Sequence, residues 1–242
     1  MKVLALPDRH APFHHPAAMA WAVEVARREQ PSAVVGLGDE ADLYSLSRYP
    51  RSHNVYTPAQ EWKAGRRAIE AHWRALREAC PRAKFYELTS NHADRLAKRV
   101  LEKLPEVEHL LENAHEVAGV ERVEGQLILD GVVYEHGHRS KAVDHARYNL
   151  RPTVHGHTHK ASLTYLQPTA RGAVWNLECG WLANASLPAF KYRDSSAAWT
   201  LACGLVTDGE PRLLVYPGRH KRRAKPGGNA TRLLPARTGV RQ

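Results

Sequence analysis

Short apolar runs alternate with longer segments of helical periodicity along the first half of the chain. The runs at Lys2–Leu6, 33–37 and 84–89 are too short for helices, and each ends at turn-forming or polar residues, so they predict buried strands. Between them, the segments Pro16–Glu29 and Pro58–Ala79 are predicted to be helices. Strands that alternate with helices in this way are typical of a parallel sheet.

The pattern changes in the second half, where strands dominate. Gln126–Leu129 and Val132–Glu135 flank Asp130-Gly131, a dipeptide that strongly favours a tight hairpin turn. Further strands are predicted at 153–155, 161–166, 173–179, 198–207 and 212–216, and further helices at 94–104, 106–114 and 142–150. An α/β first half followed by a mainly antiparallel second half predicts an α/β fold with two facing sheets and helices outside them.

The composition is compatible with one intracellular domain. A chain of 242 residues with 43% hydrophobic residues can bury one substantial core. The three cysteines, Cys80, Cys179 and Cys203, lack CxxC spacing, which argues against a disulfide framework or a thiolate zinc site and favours a reducing compartment. No apolar run reaches about 18 residues, and Asp8 comes too early for a signal peptide. We therefore expect a cytoplasmic protein without a membrane partner, and the oligomeric state stays open.

Most of the net charge of +10 is concentrated at the C-terminus. Residues 218–242 contain eight Lys and Arg, no acidic residue and the segment Pro226-Gly227-Gly228, a composition that predicts a disordered tail. The predicted boundaries are therefore 1–217 for the folded domain and 218–242 for the tail. One interpretation of the tail is an arm that contacts the phosphate backbone of DNA or RNA. The other is a solubilising terminus without a binding role.

Residues that can bind divalent metals occur where apolar runs give way to polar residues. These positions offer Asp, Asn or His, the side chains that borderline divalent cations accept. The segments are Asp8-Arg9-His10, Gly38-Asp39-Glu40-Ala41-Asp42, Asn91-His92, His136-Gly137-His138 and Gly156-His157-Thr158-His159. Because a side chain at the end of a strand can face a cleft, the series predicts a metal-dependent hydrolase.

The order of these five segments resembles the calcineurin-like metallophosphoesterase superfamily, over about residues 2–216. Segments 8–14, 42–47 and 91–96 also resemble phosphoesterases that are common in bacteriophage and bacterial genomes. The resemblance implies a four-layer αββα sandwich of two mixed sheets flanked by helices. It also implies hydrolysis of phosphate esters with two divalent metal ions as cofactors. Manganese is the first expectation for these ions, and iron, zinc and nickel are alternatives.

The resemblance assigns roles to individual residues. The implied ligands of the first metal are Asp8, His10, Asp39 and His159. Asp39 would bridge to a second metal, whose other implied ligands are Asn91, His136 and His157. His92 would stabilise the phosphoryl group or protonate the leaving oxygen, and Asp42 would orient His92. Arg95 would either clamp a substrate phosphate or be solvated.

Several positions keep alternatives. His136 and His138 lie two residues apart and so share a predicted strand face, and only the resemblance favours His136 as the ligand. Ser90 and Ala93 depart from the family's usual glycine and acidic residue, so Ser90 must keep a negative φ. The histidines predicted at the surface or in local hydrogen bonds are His14, His15, His53, His72, His109, His115, His145 and His155. The tryptophans predicted to fill the face of the second sheet are Trp175, Trp181 and Trp199.

Three functions are compatible with these residues. The first is a phosphodiesterase that acts on nucleic acid or a nucleotide diester, which the complete set of ligand types and the basic tail favour. The second is a phosphomonoesterase that acts on a nucleotide, a phosphoprotein or another small substrate through the same site. The third is a non-catalytic nucleic-acid-binding module, and the presence of every ligand type together with His92 argues against it.

Overall fold

The protein is described by a computed structural model, which covers residues 1–47, 56–90, 92, 94–103, 115–138, 142–166, 172–190 and 198–218. The strands are β1 (Lys2–Leu6), β2 (Ala33–Gly36), β3 (Lys84–Leu88), β4 (Glu121–Val123), β5 (Gln126–Leu129), β6 (Val132–Glu135), β7 (Thr153–His155), β8 (Ala161–Tyr165), β9 (Trp175–Cys179), β10 (Ala202–Thr207) and β11 (Glu210–Val215). The α-helices are α1 (Pro16–Glu29), α2 (Pro58–Ala79), α3 (Asp94–Lys103) and α4 (Val143–Asn149). The helix predicted at 106–114 lies outside the described residues.

Local sequence signals start the two long helices. The side chain of His15 accepts a hydrogen bond from Ala18 N at the start of α1, and Pro16 follows at the first helical position. At the start of α2, Thr57 and Gln60 form a reciprocal capping box, in which each side chain accepts from the other residue's backbone N–H. These caps satisfy backbone groups that a helix cannot satisfy internally.

The first sheet has the strand order β11-β10-β1-β2-β3-β4. Strands β1 to β4 are parallel, β10 pairs antiparallel with β1, and β11 pairs antiparallel with β10. Parallel neighbours place their carboxyl ends at the same edge of a sheet. The loops that follow β1, β2 and β3 therefore emerge side by side.

The second sheet has the order β5-β6-β7-β9-β8, and its centre is parallel. Strands β6, β7 and β9 run parallel, while β5 and β8 pair antiparallel at the two edges. Among the described residues, strands β5 to β11 form four antiparallel pairs and two parallel ones, so the second half is mainly antiparallel as expected. Strands β10 and β11 belong to the first sheet, where β10 pairs with β1. Strand β10 is apolar on both faces, and this allows it to lie in the first sheet between two layers.

Two apolar cores and a short outer helix define four layers. On one face of the first sheet, Leu4 packs in a cluster with residues of α1 and α2, including Trp73. On the other face, Val3 packs in a second cluster with residues of the second sheet, including Leu177. Helix α4 contacts β7 and β9 on the outer face of the second sheet, where it buries Ala146. The order helix, sheet, sheet, helix confirms the predicted αββα sandwich of two mixed sheets.

Other sequence-based expectations concern the cysteines and the tail. Cys80, Cys179 and Cys203 are all buried as free thiols. Within the described segments, no helix is both long enough and apolar enough to cross a membrane. Residues 219–242, nearly all of the predicted tail, lie outside the described part of the chain, so the boundary at 217 stays a prediction.

Candidate metal-binding site

The loops after β1 and β7 meet at a glycine. The backbone N–H of His157 donates hydrogen bonds to both carboxylate oxygens of Asp8, at 3.1 and 2.9 Å. A Cβ atom on Gly156 would overlap the Asp8 carboxylate, so the close approach requires glycine at this position. Gly156 N in turn donates to His136 O at 3.0 Å, which joins the loop after β6 to the same place. The two sheets therefore bring together segments that are far apart in the sequence.

One group of ligand-type atoms surrounds the end of β1. It comprises Asp8, His10, Asp39 and His159, whose candidate ligand atoms all lie within 4.8 Å of one another. Nε2 of His10 lies 3.0 Å from Nε2 of His159 and 3.8 Å from Oδ2 of Asp39. All four side chains are buried or nearly so. This is the set that the resemblance implied for the first metal.

A second group shares Asp39. It comprises Asp39, His136 and His157, again with candidate ligand atoms within 4.8 Å of one another. Nε2 of His136 lies 3.4 Å from Oδ2 of Asp39 and 3.2 Å from Nδ1 of His157. Nδ1 of His136 lies 2.9 Å from Leu37 O, and a ring nitrogen must carry a proton to bond a carbonyl, so this contact favours the tautomer with its lone pair on Nε2. Asn91, the fourth residue implied for this metal, lies outside the described residues.

His92 and Arg95 stand beside Asp39 and Asp42. Nε2 of His92 lies 3.8 Å from Oδ2 of Asp39, and its Nδ1 lies 2.9 Å from the main-chain oxygen of Asp42. Nη2 of Arg95 lies 2.9 Å from Nε2 of His92, and Nη1 donates to Asp42 O and Oδ1 at 2.8 and 3.2 Å. Because arginine only donates, Nε2 of His92 accepts and Nδ1 carries the proton.

The carboxylate of Asp42 lies closer to His10 than to His92, the residue that it was expected to orient. Its Oδ2 lies 3.1 Å from Nδ1 of His10, whereas Oδ1 lies 3.8 Å from Nδ1 of His92. The main-chain oxygen of Asp42 orients His92, and the side chain orients His10. A carboxylate on the far nitrogen of a ligating histidine is a common arrangement at metal sites. Sequence spacing could not separate these two contacts of one residue.

Burial and charge shift the pKa values of the acidic groups in opposite directions. Burial, reinforced by the neighbouring charge of Asp39, raises the pKa of Asp8 well above its usual value. Burial also acts to raise the pKa of Asp39, but His136, His92 and His10 outweigh it and hold this pKa well below the usual value. Asp8 therefore resists ionisation, whereas Asp39, which belongs to both groups, favours its ionised form.

Burial favours the neutral forms of three histidines of the site, His157, His159 and His92. Burial, followed by repulsion from His136, lowers the pKa of His157 to about 4. Burial, followed by repulsion from His10, lowers the pKa of His159 well below its usual value. Burial also lowers the pKa of His92 to about 4, against the attraction of Asp39. A neutral imidazole has the lone pair that a metal ligand needs.

Left-handed backbone conformations are concentrated at the candidate ligands. Half of the ten described non-glycine residues with positive φ are candidate ligands, namely Asp8 (+20°), His10 (+47°), Asp39 (+47°), His157 (+73°) and His159 (+65°). Such conformations are unfavourable for residues with a Cβ, and they persist only where the surrounding structure imposes them. Ser90, by contrast, is not among the positive-φ residues, so the turn tolerates its Cβ as predicted.

The donor set fits divalent cations of the borderline class. Among the described residues, the ion-pair partners within 4.0 Å of Asp8 and Asp39 are all histidines. The Asp39 carboxylate favours its ionised form, and no described Lys or Arg side chain neutralises it by contact. A combination of carboxylate oxygen and imidazole nitrogen suits manganese, iron, zinc or nickel better than a hard cation such as calcium.

Aromatic rings form the wall beside His159, which corrects one prediction. The ring of Trp181 stacks on His159 with centroids 4.7 Å apart, and the ring of Trp199 meets it edge-on at 4.8 Å. Trp181 and Trp199 belong to an aromatic cluster with Phe190 and do not fill the face of the second sheet. Trp175 does pack between the sheets. The rings fix the orientation of the imidazole that they contact.

The sequence did not predict that two further histidines lie together behind the second group. His145 and His155 are fully buried there, with rings stacked 4.2 Å apart, and His145 bonds to Glu135. His138 is exposed, and its ring lies 5.8 Å from that of His145, so the structure places His136 and not His138 in the second group. A lone histidine in the sequence carries no indication of its partner.

The chain is similar to several solved structures of known proteins. No protein-family model matches the sequence, and no curated protein matches it. The chain is similar to Yfce, a phosphoesterase from E. coli, at 16% identity over 86% of this chain and 89% of that chain, with a TM-score of 0.41. It is similar to the nuclease MPE of Pseudomonas putida at 12% identity, over 88% and 86% of the two chains, with a TM-score of 0.38.

A third solved structure is Vps29 from Entamoeba histolytica in complex with zinc. It is 12% identical over 88% of this chain and 97% of that chain, with a TM-score of 0.44. Because all three TM-scores lie below 0.5, function is inferred from the side chains of the site and not from these alignments.

The two contacts of Asp42 give a first prediction. In the metal-free protein, Asp42→Asn should shift the nitrogen resonances of the His10 ring, because the charge beside its Nδ1 is removed. The His92 ring should change little, because a main-chain oxygen holds it. Long-range ¹H–¹⁵N spectra of the imidazoles measure both, with Asp144→Asn on α4 as a control. Equal shifts at His10 and His92 would contradict the assignment.

Proposed function

We propose that the protein is a binuclear metal-dependent phosphoesterase and that phosphodiesters are its preferred substrates. The observation that carries the proposal is the position of Asp39. Its carboxylate belongs to two groups of ligand-type atoms, one with Asp8, His10 and His159 and one with His136 and His157. A carboxylate shared in this way can bridge two cations and offset their mutual repulsion.

The two groups name the residues that would hold the metal ions. Asp8, His10, Asp39 and His159 would hold the first ion, and Asp39, His136 and His157, with Asn91 from the sequence resemblance, would hold the second. When bound, two such cations supply Lewis acidity that activates water and neutralises charge on a phosphate. Manganese is the preferred candidate, with iron, zinc or nickel as alternatives.

His92 and Arg95 would contact the phosphate group of the substrate on the cleft side of Asp39. Both side chains are partly exposed, at 13% and 21%, so a phosphate group can reach them. A phosphate oxygen that accepts from Arg95 would compete with Nε2 of His92 for the same donor. That nitrogen, which holds a lone pair, would then be free to take up a proton from solvent and pass it to the leaving oxygen, while the main-chain oxygen of Asp42 keeps the ring oriented.

The preference for diesters rests on the charge of the tail. Residues 218–242 carry eight of the ten net positive charges, and such a segment can follow the phosphates of DNA or RNA. The metal-binding groups alone suit a phosphomonoester of a nucleotide, a phosphoprotein or a small molecule equally well. The phosphomonoesterase is therefore the second candidate, and a substrate panel distinguishes the two.

The panel compares bis-p-nitrophenyl phosphate, p-nitrophenyl phosphate and labelled single- and double-stranded DNA and RNA, each with added Mn²⁺. We expect faster hydrolysis of the diester than of the monoester, and cleavage of at least one nucleic acid. Asp39→Asn, which removes the shared negative charge, should abolish the activity and reduce bound metal in elemental analysis. Full activity in that variant would exclude a binuclear centre, and a preference for the monoester would favour the second candidate.

His92→Ala tests the separation between ligands and catalytic residues. The variant should keep both metal ions, because His92 is not assigned to either set, and turnover should fall by about 10²-fold or more. Elemental analysis and steady-state kinetics with the chromogenic diester measure the two effects. His138→Ala, at an exposed histidine outside both groups, is the matched control. A collapse of metal content in His92→Ala would make His92 a ligand.

Truncation after Pro217 tests the role of the tail. The shortened chain keeps every proposed ligand and strand β11, so hydrolysis of the small chromogenic diester should be unchanged. Binding to DNA and RNA should weaken, and the log–log salt slope should fall by roughly 0.7–0.9 for each phosphate that the tail neutralises in the full chain. Unchanged affinity, slope and nucleic-acid cleavage would show that the tail has no part in substrate binding.

A further inference from the structure

The residues between the candidate ligands face the opposite side of the first sheet. Arg9 lies between Asp8 and His10 in the sequence, and its side chain is fully buried on the side of α2, with Cζ 5.0 Å from the ring centroid of Trp73. There it donates a hydrogen bond from Nη2 to Oε2 of Glu87. Glu87 lies on β3 and is 4% exposed. The loop after β1 is therefore anchored from behind by an ion pair.

The same carboxylate also holds the loop after β2. Gly38 N donates to Oε1 of Glu87 at 3.3 Å, directly before Asp39. A Cβ on Gly36 would overlap this carboxylate, so the glycine provides the space that Glu87 occupies. One oxygen of Glu87 thus contacts the loop that carries Asp8 and His10, and the other contacts the loop that carries Asp39.

We propose that Glu87 is a positioning residue of the candidate metal site, which clamps the loops after β1 and β2 in the arrangement that metal binding requires. This inference rests on the proposed metal-binding function. Asp8, His10 and Asp39 all have positive φ, so their backbone conformations need support from the surrounding structure. Glu87 contacts both loops within one residue of these ligands and supplies that support without facing the metals.

Stability alone is a weak explanation for this ion pair. Removing two charges from water is costly, and a buried pair is often replaced by apolar residues without loss of stability. Burial lowers the pKa of Arg9 to about 10, so the guanidinium remains charged at neutral pH. Its Nε and Nη1 have no hydrogen-bond partner among the described residues, so Glu87 is the acceptor that fixes its direction.

Packing on the helix side leaves only a small gap beside the carboxylate. Glu87 lines a cavity of about 20 Å³, which is room for about one water molecule, together with Glu40, Trp62, Trp73 and Arg122. The directed bonds to Arg9 and Gly38 therefore add to packing in orienting the side chain.

Metal binding to the metal-free protein tests the proposal. Isothermal titration with Mn²⁺ should detect two ions in the wild type. In Glu87→Gln, the ion held by Asp8, His10, Asp39 and His159 should bind about 10- to 100-fold more weakly, the usual effect of removing a partner that orients ligands. The double variant Arg9→Met/Glu87→Met removes the pair without leaving an unpaired charge. Compared with Glu87→Gln, the double variant should have a higher unfolding temperature, but its Mn²⁺ affinity should stay low.

A core variant separates positioning from general destabilisation. Leu76→Ala truncates a buried residue of α2, so it should lower the unfolding temperature and leave Mn²⁺ affinity unchanged. Wild-type Mn²⁺ affinity in both Glu87→Gln and the double variant would overturn the proposal. It would also be overturned if the double variant regained Mn²⁺ affinity together with thermal stability. If Glu87→Gln does not fold, the double variant decides alone. A wild type that binds no Mn²⁺ would remove the proposed function as well.

Discussion

The contact between Asp8 and the backbone of His157 determines where the other candidate ligands lie. It joins the carboxyl end of β1 in the first sheet to the loop after β7 in the second. Without a side chain at Gly156, the two loops approach closely enough for one carboxylate to accept two bonds from one N–H. Once this contact is fixed, the parallel neighbours of β1 and β7 deliver Asp39 and His136 to the same cleft.

Around that contact, the fold holds three of the four candidate imidazoles from the side away from Asp39. Leu37 O holds Nδ1 of His136, the Asp42 carboxylate lies at Nδ1 of His10, and Trp181 stacks on His159. Each of these contacts fixes either the proton position or the ring plane, and so leaves one nitrogen facing Asp39 or a second histidine. Preorganisation of this kind lowers the cost of assembling a site around a cation.

The sequence predicted the parts of this arrangement that depend on local pattern. Short apolar runs ending in Asp or His located β1, β2, β7 and the residues that follow them. It did not predict that β10 joins β1, because periodicity indicates a strand but not its partner. Nor did it predict the bond between Arg9 and Glu87, since a charged residue is expected at the surface and its burial depends on a partner about 80 positions away.

Successive side chains of the short loop after β1 point to opposite faces of the first sheet. Asp8 and His10 enter the cleft, while Arg9 enters the layer under α2. The loop after β2 repeats this division, because Asp39 faces the histidines and Glu40 turns back to contact Arg122 and His115 at 3.1 and 3.3 Å. Charges on the helix side thus lie one residue from the candidate ligands. Charged residues on the helix side can therefore affect the backbone of the candidate ligands without contacting a metal.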